Sequence, residues 1–167
     1  MTLPGTGIVG TTRHSWPKAQ RNNATVSIRR AYRQGKAEEW HGEVLCGLPS
    51  EVSSSLTVSS KAHPMYSLRY DDVKRQARET MSLLGVDKLD VFYLHGVDQA
   101  TSIEETLCAV NDLHREGIFD RFGLSNYPAW QVVQVYYLCE RLGYVVPNVF
   151  VTACLCLCFT ILVAWRL

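Results

Sequence analysis

The chain has 167 residues and carries 17 lysines and arginines against 16 aspartates and glutamates, so its net charge is close to zero. This length fits about one domain that can bury a real core. The near balance of charge gives no field that favours a nucleic acid or a strongly acidic partner, so nucleic-acid binding is not expected.

The start of the chain is basic. No aspartate or glutamate occurs before Glu38, although seven lysines and arginines do. An arginine-rich, acid-poor start is typical of a mitochondrial presequence, but no amphipathic apolar face accompanies it here. We therefore expect residues 1–30 to be a poorly structured N-terminus, with a targeting role as the alternative.

From residue 56 onward, short apolar runs alternate with longer segments of helical period, which is typical of βα units around a parallel sheet. The predicted elements are a strand at 56–61, a helix at 71–85, a strand at 89–95, a helix at 101–117, a strand at 119–126, a helix at 128–143 and a strand starting at 144–150. The helix ends are supported by Thr101 or Ser102 as an N-cap and by Gly85 as a stop. The pattern predicts an α/β fold.

The six cysteines form no recognisable site. The chain has no CxxC pair, and Cys154, Cys156 and Cys158 simply alternate within an apolar tail. Spacing for a metal site is absent, so we expect no bound metal, and reduced thiols in an intracellular compartment.

The C-terminal tail is open to three interpretations. Residues 149–165 contain no charged side chain, which places them at the lower limit for a membrane-spanning helix. A membrane anchor through these residues is one interpretation, although not the favoured one. A buried strand or a segment without designed structure are the others.

Three polar residues stand at the ends of predicted strands, one βα unit apart. They are Lys61, His95 and Asn126. In a parallel barrel the C-terminal ends of all strands open on one face, so these side chains are expected to converge at one mouth. Considered one at a time, each residue also has a purely structural explanation. Lys61 could be a solvated loop lysine, His95 a hydrogen-bonded histidine and Asn126 a helix cap.

Around these residues the chain resembles the aldo-keto reductase family, and most of all its aflatoxin-aldehyde reductase branch. The similar segments are AYRQGKAEEWHGEVLCGLP (31–49), SSKAHP (59–64), LDVFYLHGVDQATSIEETL (89–107) and GLSNYPAW (123–130). The resemblance implies a partial (β/α)8 TIM barrel of about four βα units over residues 31–150, the NADP-dependent oxidoreductase fold of this family. Residues 151–167 form an apolar tail that is unlike the family.

The resemblance also implies a reaction and its residues. Family members use NADPH to reduce aldehydes and ketones to alcohols, and we expect a cytoplasmic enzyme with a small carbonyl substrate. Tyr32, Lys61 and His95 match three members of the family's catalytic tetrad. Ser125 and Asn126 match the pair that holds the nicotinamide carboxamide.

The chemistry explains why those residue types belong together. Hydride transfer to a carbonyl carbon leaves charge on oxygen, and a nearby proton donor must neutralise that charge. A tyrosine whose pKa is lowered by a neighbouring ammonium can donate the proton, while an imidazole orients and polarises the carbonyl. For Tyr32, a packing or surface tyrosine remains the alternative.

The fourth member of the tetrad is missing. The family's aspartate, which pairs with the lysine, is expected five residues before the tyrosine, and this chain has Ser27 there. Neither the family's opening hairpin nor the loops that hold the cofactor's phosphates can be recognised in the sequence. We therefore expect a truncated, impaired reductase. The alternatives are an inactive half-barrel that associates through open sheet edges, or one that its tail anchors to a membrane.

Overall fold

The computed structural model describes residues 25–27, 36–53, 56–154 and 159–164, the first and last of these ranges as backbone. The elements in chain order are β1 (Thr25–Ser27), α1 (Lys36–Cys46), α2 (Ser50–Ser53), β2 (Thr57–Ala62), α3 (Tyr70–Leu84), β3 (Leu89–Leu94), α4 (Ile103–Arg115), β4 (Phe119–Ser125), α5 (Ala129–Leu142), β5 (Pro147–Cys154) and β6 (Phe159–Ala164). A short 3-10 helix, Pro64–Tyr66, follows β2.

The strands form one six-stranded sheet in the order β1-β2-β3-β4-β5-β6. Strands β1 to β5 run parallel, and β6 returns antiparallel to β5. Each of the first four strands is followed by helix, so neighbouring strands are joined by crossovers as in a (β/α)8 barrel. The predicted partial barrel of about four βα units is confirmed.

Local signals in the sequence explain the helix bounds. Helix α4 begins after Ser102, whose side chain accepts a hydrogen bond from the Glu105 amide at 3.2 Å. Helix α3 ends at Gly85, which adopts the left-handed conformation with φ 62° that favours glycine. The predicted elements from residue 56 onward therefore match the observed ones to within a few residues.

The structure also contains elements that the pattern did not predict. Strand β1 lies inside residues 1–30, which were expected to be poorly structured, and helices α1 and α2 precede β2. Strand β5 continues past residue 150 to Cys154, into the segment expected to be an unrelated tail. That tail is extended wherever the structure describes it, and across the described ranges no helix is long and apolar enough to cross a membrane.

Alternation along the strands separates two apolar clusters. On the helix side of the sheet, the main core includes Phe92, Leu94, Phe122 and Leu124. On the opposite face, which lines the interior in a barrel, a second cluster consists of Val91, Tyr93, Val149 and Val151. The polar site residues share this inner face, because they alternate with the core residues along the same strands.

Candidate functional site at the C-terminal ends of the strands

Lys61 lies in β2, one residue before the strand ends, and only 3% of it is exposed. It is paired in register with Tyr93 of β3, and its Nζ lies 4.1 Å from the centre of the Tyr93 ring. The interpretation of Lys61 as a solvated loop lysine is therefore wrong. The strand holds a buried ammonium near the mouth of the sheet.

His95 directly follows β3 at the same edge. Its backbone amide donates a hydrogen bond to the Ala62 carbonyl at 2.9 Å, which fixes the end of β3 to the end of β2. Its half-buried imidazole packs edge-on against the ring of His63, with the ring centres 4.5 Å apart and the planes at 87°. The two histidines therefore form one aromatic contact beside Lys61.

His63 is held as a neutral imidazole. Its Nδ1 accepts a hydrogen bond from the Met65 amide at 3.0 Å, which requires that this nitrogen carry no proton. Its own amide donates to Oε1 of Gln76 at 2.9 Å. Partial burial lowers the pKa of His63 below the usual 6.5. His63 therefore supports the His95 ring without adding a positive charge to the site.

Ser125 and Asn126 complete this edge of the sheet. Ser125 is the last residue of β4 and is buried, whereas Asn126 is exposed. The Asn126 Nδ2 donates to the His95 carbonyl at 2.9 Å and to Ser125 Oγ at 3.2 Å. Helix α5 begins at Ala129 with Pro128 as its N-cap residue and without a side-chain cap bond, so Asn126 does not act as its cap. Its amide instead ties β4 to β3.

The loop between β3 and α4 is held by Asp98. Its carboxylate accepts hydrogen bonds from the Leu68 and Ala100 amides, both at 2.9 Å, and from Thr101 Oγ1 at 2.8 Å. Partial burial, the largest single effect, raises the pKa of Asp98, but these hydrogen bonds together outweigh it and lower the pKa below the usual value. The ionised Asp98 therefore pins the loop that follows His95 to the loop that precedes α3.

The position of the missing acid can also be located. Ser27 in β1 is paired in register with Ser59 of β2, and residues paired across parallel strands share a face. Ser59 lies two residues before Lys61 and is 1% exposed, and its Oγ has no hydrogen-bond partner among the described residues. A buried hydroxyl without an acceptor thus lies beside the position where the family has a carboxylate.

The predicted convergence can now be compared with the geometry. Lys61, His95, Ser125 and Asn126 all lie at the C-terminal ends of neighbouring strands, connected by the hydrogen bonds of Ala62, His95 and Asn126. Tyr32 lies outside the described residues. No group of three or more metal-ligating side chains occurs in the described ranges. The catalytic and cofactor-binding roles remain predictions.

Sequence reasoning missed two residues at this site, Tyr93 and His63. The available signal for Tyr93 was strand alternation in LDVFYLH, because Tyr93 stands two residues before His95 and so lies on the same face. The His-Pro pair directly after β2 was the signal for the second, since histidine before a turn can cap it.

Parallel strands in chain order, each followed by helix and carrying polar side chains at their C-terminal ends, define a segment of a (β/α) barrel. The family model described as Aldo/keto reductase family matches residues 24–159. The chain therefore belongs to the aldo/keto reductase family. This match extends beyond both ends of the 31–150 segment that the sequence resemblance covered.

Individual relatives agree with the family. The chain is 38% identical over 121 residues to rat aflatoxin B1 aldehyde reductase member 2, covering 71% of this chain and 33% of the relative. It is 35% identical to human aflatoxin B1 aldehyde reductase member 4, covering 78% and 40%. The chain thus spans about a third to two fifths of the length of these curated relatives.

A solved structure is similar as well. The thermostable aldo-keto reductase Tm1743, determined in complex with the inhibitor epalrestat, matches with a TM-score of 0.56 and 28% identity. The match covers 62% of this chain and 36% of that one. The fold similarity and the sequence similarity therefore point to the same family.

Proposed function

We propose that this chain carries the site of an NADPH-dependent oxidoreductase that reduces aldehydes or ketones to alcohols. The observation that supports this most directly is the placement of Lys61, His95 and Asn126 at one edge of the sheet, where hydrogen bonds of Ala62, His95 and Asn126 join the strand ends. Relatives that are named aldehyde reductases support a carbonyl substrate.

The nicotinamide end of such a cofactor fits Ser125 and Asn126. A carboxamide needs an acceptor for its NH₂ group and a donor for its oxygen. The Asn126 Nδ2 is engaged with His95 and Ser125, so the side-chain oxygen of this exposed residue can serve as the acceptor and the Ser125 hydroxyl as the donor. A reduced nicotinamide bound there supplies the hydride.

The remaining residues handle the proton and the carbonyl. In this proposal Tyr32 donates the proton to the oxygen, and the ammonium of Lys61 lowers the pKa of that phenol. His95, oriented by its contact with His63, donates a hydrogen bond to the carbonyl oxygen and polarises it. Burial of Lys61 strengthens its field, because little water screens it.

The chain as it stands is proposed to be a weak catalyst. In the family an aspartate pairs with the lysine, and here Ser27 occupies that position. A serine there supplies no carboxylate to help hold the lysine in place. Ser59 supports this interpretation, because it is paired in register with Ser27 and its buried hydroxyl has no hydrogen-bond partner among the described residues.

Ser27→Asp tests the proposed function, because it restores the carboxylate at this position and should increase carbonyl reductase activity. The variant should raise the rate of NADPH oxidation with 4-nitrobenzaldehyde by about tenfold or more, since an ion-pair partner contributes a few kcal/mol and each 1.36 kcal/mol is tenfold in rate. The rate is followed by the loss of absorbance of the reduced nicotinamide.

Ser27→Asn is the matched control, because it adds a side chain of the same size without charge. The double variant Ser27→Asp with Lys61→Met should lose the gain. Equal rates for the Asp and Asn variants would contradict the role of Lys61, and robust turnover by the unmodified chain would contradict the proposed impairment.

The place of action is proposed to be the cytoplasm. Cys46, Cys108 and Cys139 are free thiols, as is usual in a reducing compartment. Cys139 is also protected by its position, since burial raises the pKa of its thiol to about 12.

A further inference from the structure

Three residues form a row across the inner face of the sheet at the height of the site. Lys61 of β2 is paired in register with Tyr93 of β3, and Tyr93 is paired with Gly123 of β4. Residues paired across parallel strands point to the same side. The Tyr93 ring thus has the lysine on one side and a residue without a side chain on the other.

Gly123 is required by the position of the Tyr93 ring. A Cβ atom on residue 123 would overlap Cδ1 and Cε1 of Tyr93. The ring therefore occupies the space that a side chain on β4 would fill. Any larger residue at position 123 must displace the ring and change its distance from Lys61.

The contact between Lys61 and Tyr93 has the geometry of a cation–π interaction. The Nζ atom lies 4.1 Å from the ring centre, well within the range of about 6 Å for this interaction. Both residues are buried, with 3% of Lys61 and 5% of Tyr93 exposed. The attraction between an ammonium and a ring face is strongest when water is excluded in this way.

We propose that Tyr93 is a positioning residue that holds the ammonium of Lys61 over its ring face, in space created by Gly123. The consequence for catalysis rests on the proposed function, in which Lys61 lowers the pKa of the proton donor. A neutral ring restrains the ammonium without cancelling its charge, so the field at the proton donor is kept.

Tyr93 itself is held neutral. Burial raises the pKa of its hydroxyl, and this outweighs the opposing effect of the nearby Arg121. Arg121 is paired with Asp90 through two hydrogen bonds, one of 3.0 Å from Nε to Oδ1. Tyr93 therefore presents its ring to Lys61 as an uncharged surface.

NMR of the lysine side chains tests this inference without any need for turnover. Protons above the face of an aromatic ring are shifted upfield by its ring current. The Cε-attached protons of Lys61, identified by their loss in Lys61→Arg, should lie upfield of those of Lys36 and Lys88. The shift should persist in Tyr93→Phe and vanish in Tyr93→Leu.

The pKa of Lys61 provides the second readout. Loss of the ring should lower the lysine pKa in Tyr93→Leu by about 0.4–1.5 pH units, because the ring stabilises the charged form. Tyr70→Leu is the matched control, since Lys74 lies 5.2 Å from the centre of that ring. It should move the Lys74 signals and leave those of Lys61 unchanged.

The outcomes separate this inference from the proposed function. The inference is overturned if, in the unmodified chain, the Cε-attached protons of Lys61 have the same chemical shift as those of Lys36 and Lys88. This outcome does not depend on whether Tyr93→Leu folds. An upfield shift that survives Tyr93→Leu overturns it as well. An upfield shift that vanishes in Tyr93→Leu, together with equal rates for Ser27→Asp and Ser27→Asn, supports the position of Lys61 over the Tyr93 ring and rejects only the proposed role of Lys61 in turnover.

Discussion

Asn126 adopts a left-handed backbone conformation with φ 56°, and this torsion turns its side chain back towards β3. Asparagine tolerates that conformation better than most residues, because its short polar side chain can bond locally. Here the amide donates to the His95 carbonyl at 2.9 Å. Asn126 thus fixes the backbone of His95, so the residue proposed to hold the cofactor also positions the histidine proposed to polarise the carbonyl.

The stability of the fold is predicted to depend on pH through His63. Its pKa is lowered in the folded state, so the unfolded chain binds more protons as the pH falls below about 6.5. His63 therefore stabilises the fold above that pH, and its contribution is lost as the pH falls through the folded pKa. Urea unfolding at pH 8.0 and pH 5.5 measures this loss.

His63→Asn should reduce the pH dependence. The side-chain oxygen of asparagine can replace Nδ1 as acceptor for the Met65 amide, but it does not titrate. His114→Asn removes a histidine of α4 away from the rim and serves as the control. Unchanged pH dependence in His63→Asn would show that protonation of His63 does not limit stability.

The sequence predicted which residues lie at this rim but not how they contact one another. Strand-end spacing located Lys61, His95 and Asn126, because each βα unit returns the chain to the same edge. The contacts of Lys61 with Tyr93 and of His95 with His63 depend on strand register and side-chain orientation. Neither can be read from the spacing of residues along one chain.

Helix α1 shows why one element escaped prediction. Its exposed face carries Trp40 and Val44, whereas its inward face carries the buried Glu38 and Gly42. Glu38 Oε1 accepts hydrogen bonds from Thr80 Oγ1 at 2.7 Å and from Ser60 Oγ at 3.3 Å. Among the side chains of α1 that the structure describes, only Leu45 adds an apolar contact with the main core, so the helical hydrophobic period of α1 is weak and hard to detect.

Gly42 allows α1 to pack closely on α3. A Cβ atom at residue 42 would overlap the Leu83 carbonyl oxygen and lie 3.4 Å from the Leu84 Cα. Gly42→Ala should therefore destabilise the fold by about 1–3 kcal/mol, the usual cost of overpacking, although alanine favours helix. The change is measured as the shift in the midpoint of urea unfolding.

Gly47→Ala is the matched control for this prediction. A Cβ atom there would lie 3.5 Å from the Glu43 carbonyl oxygen, which is ordinary contact. Its effect should remain within about 0.5 kcal/mol, as for most surface changes. A Gly42→Ala variant as stable as Gly47→Ala would mean that α1 does not pack on α3 at this distance.

For the whole molecule, the order of the parallel strands could be predicted and the last strand could not. Right-handed βα connections place consecutive strands side by side, so the order β2 to β5 follows from the alternating pattern. Strand β6 pairs antiparallel with β5 through a tail whose continuous apolar sequence fits a strand or a helix equally well. Only the pairing of β6 with β5 shows that this segment is a strand and not a helix.

Charge around the mouth of the sheet leads to a prediction about the cofactor. The loops that follow β2, β3 and β4 contain a single arginine or lysine, Arg69, which lies near the carboxylate of Asp98. Phosphate groups bind most strongly to arginine pairs, lysines or glycine-rich helix N-termini. We therefore expect these loops to hold the nicotinamide end of a cofactor and to add little affinity for its phosphates.

NADPH and reduced nicotinamide mononucleotide should accordingly bind within about threefold of each other, because these three loops offer the larger ligand no additional charge-assisted hydrogen bonds. The backbone amide signals of His95 and Ser125, which every variant in this test keeps, report both affinities in an NMR titration. Asn148→Ala, an exposed change in β5, should alter neither, whereas Asn126→Ala should weaken both ligands alike. A hundredfold preference for NADPH would instead place a phosphate site on this chain outside the three loops.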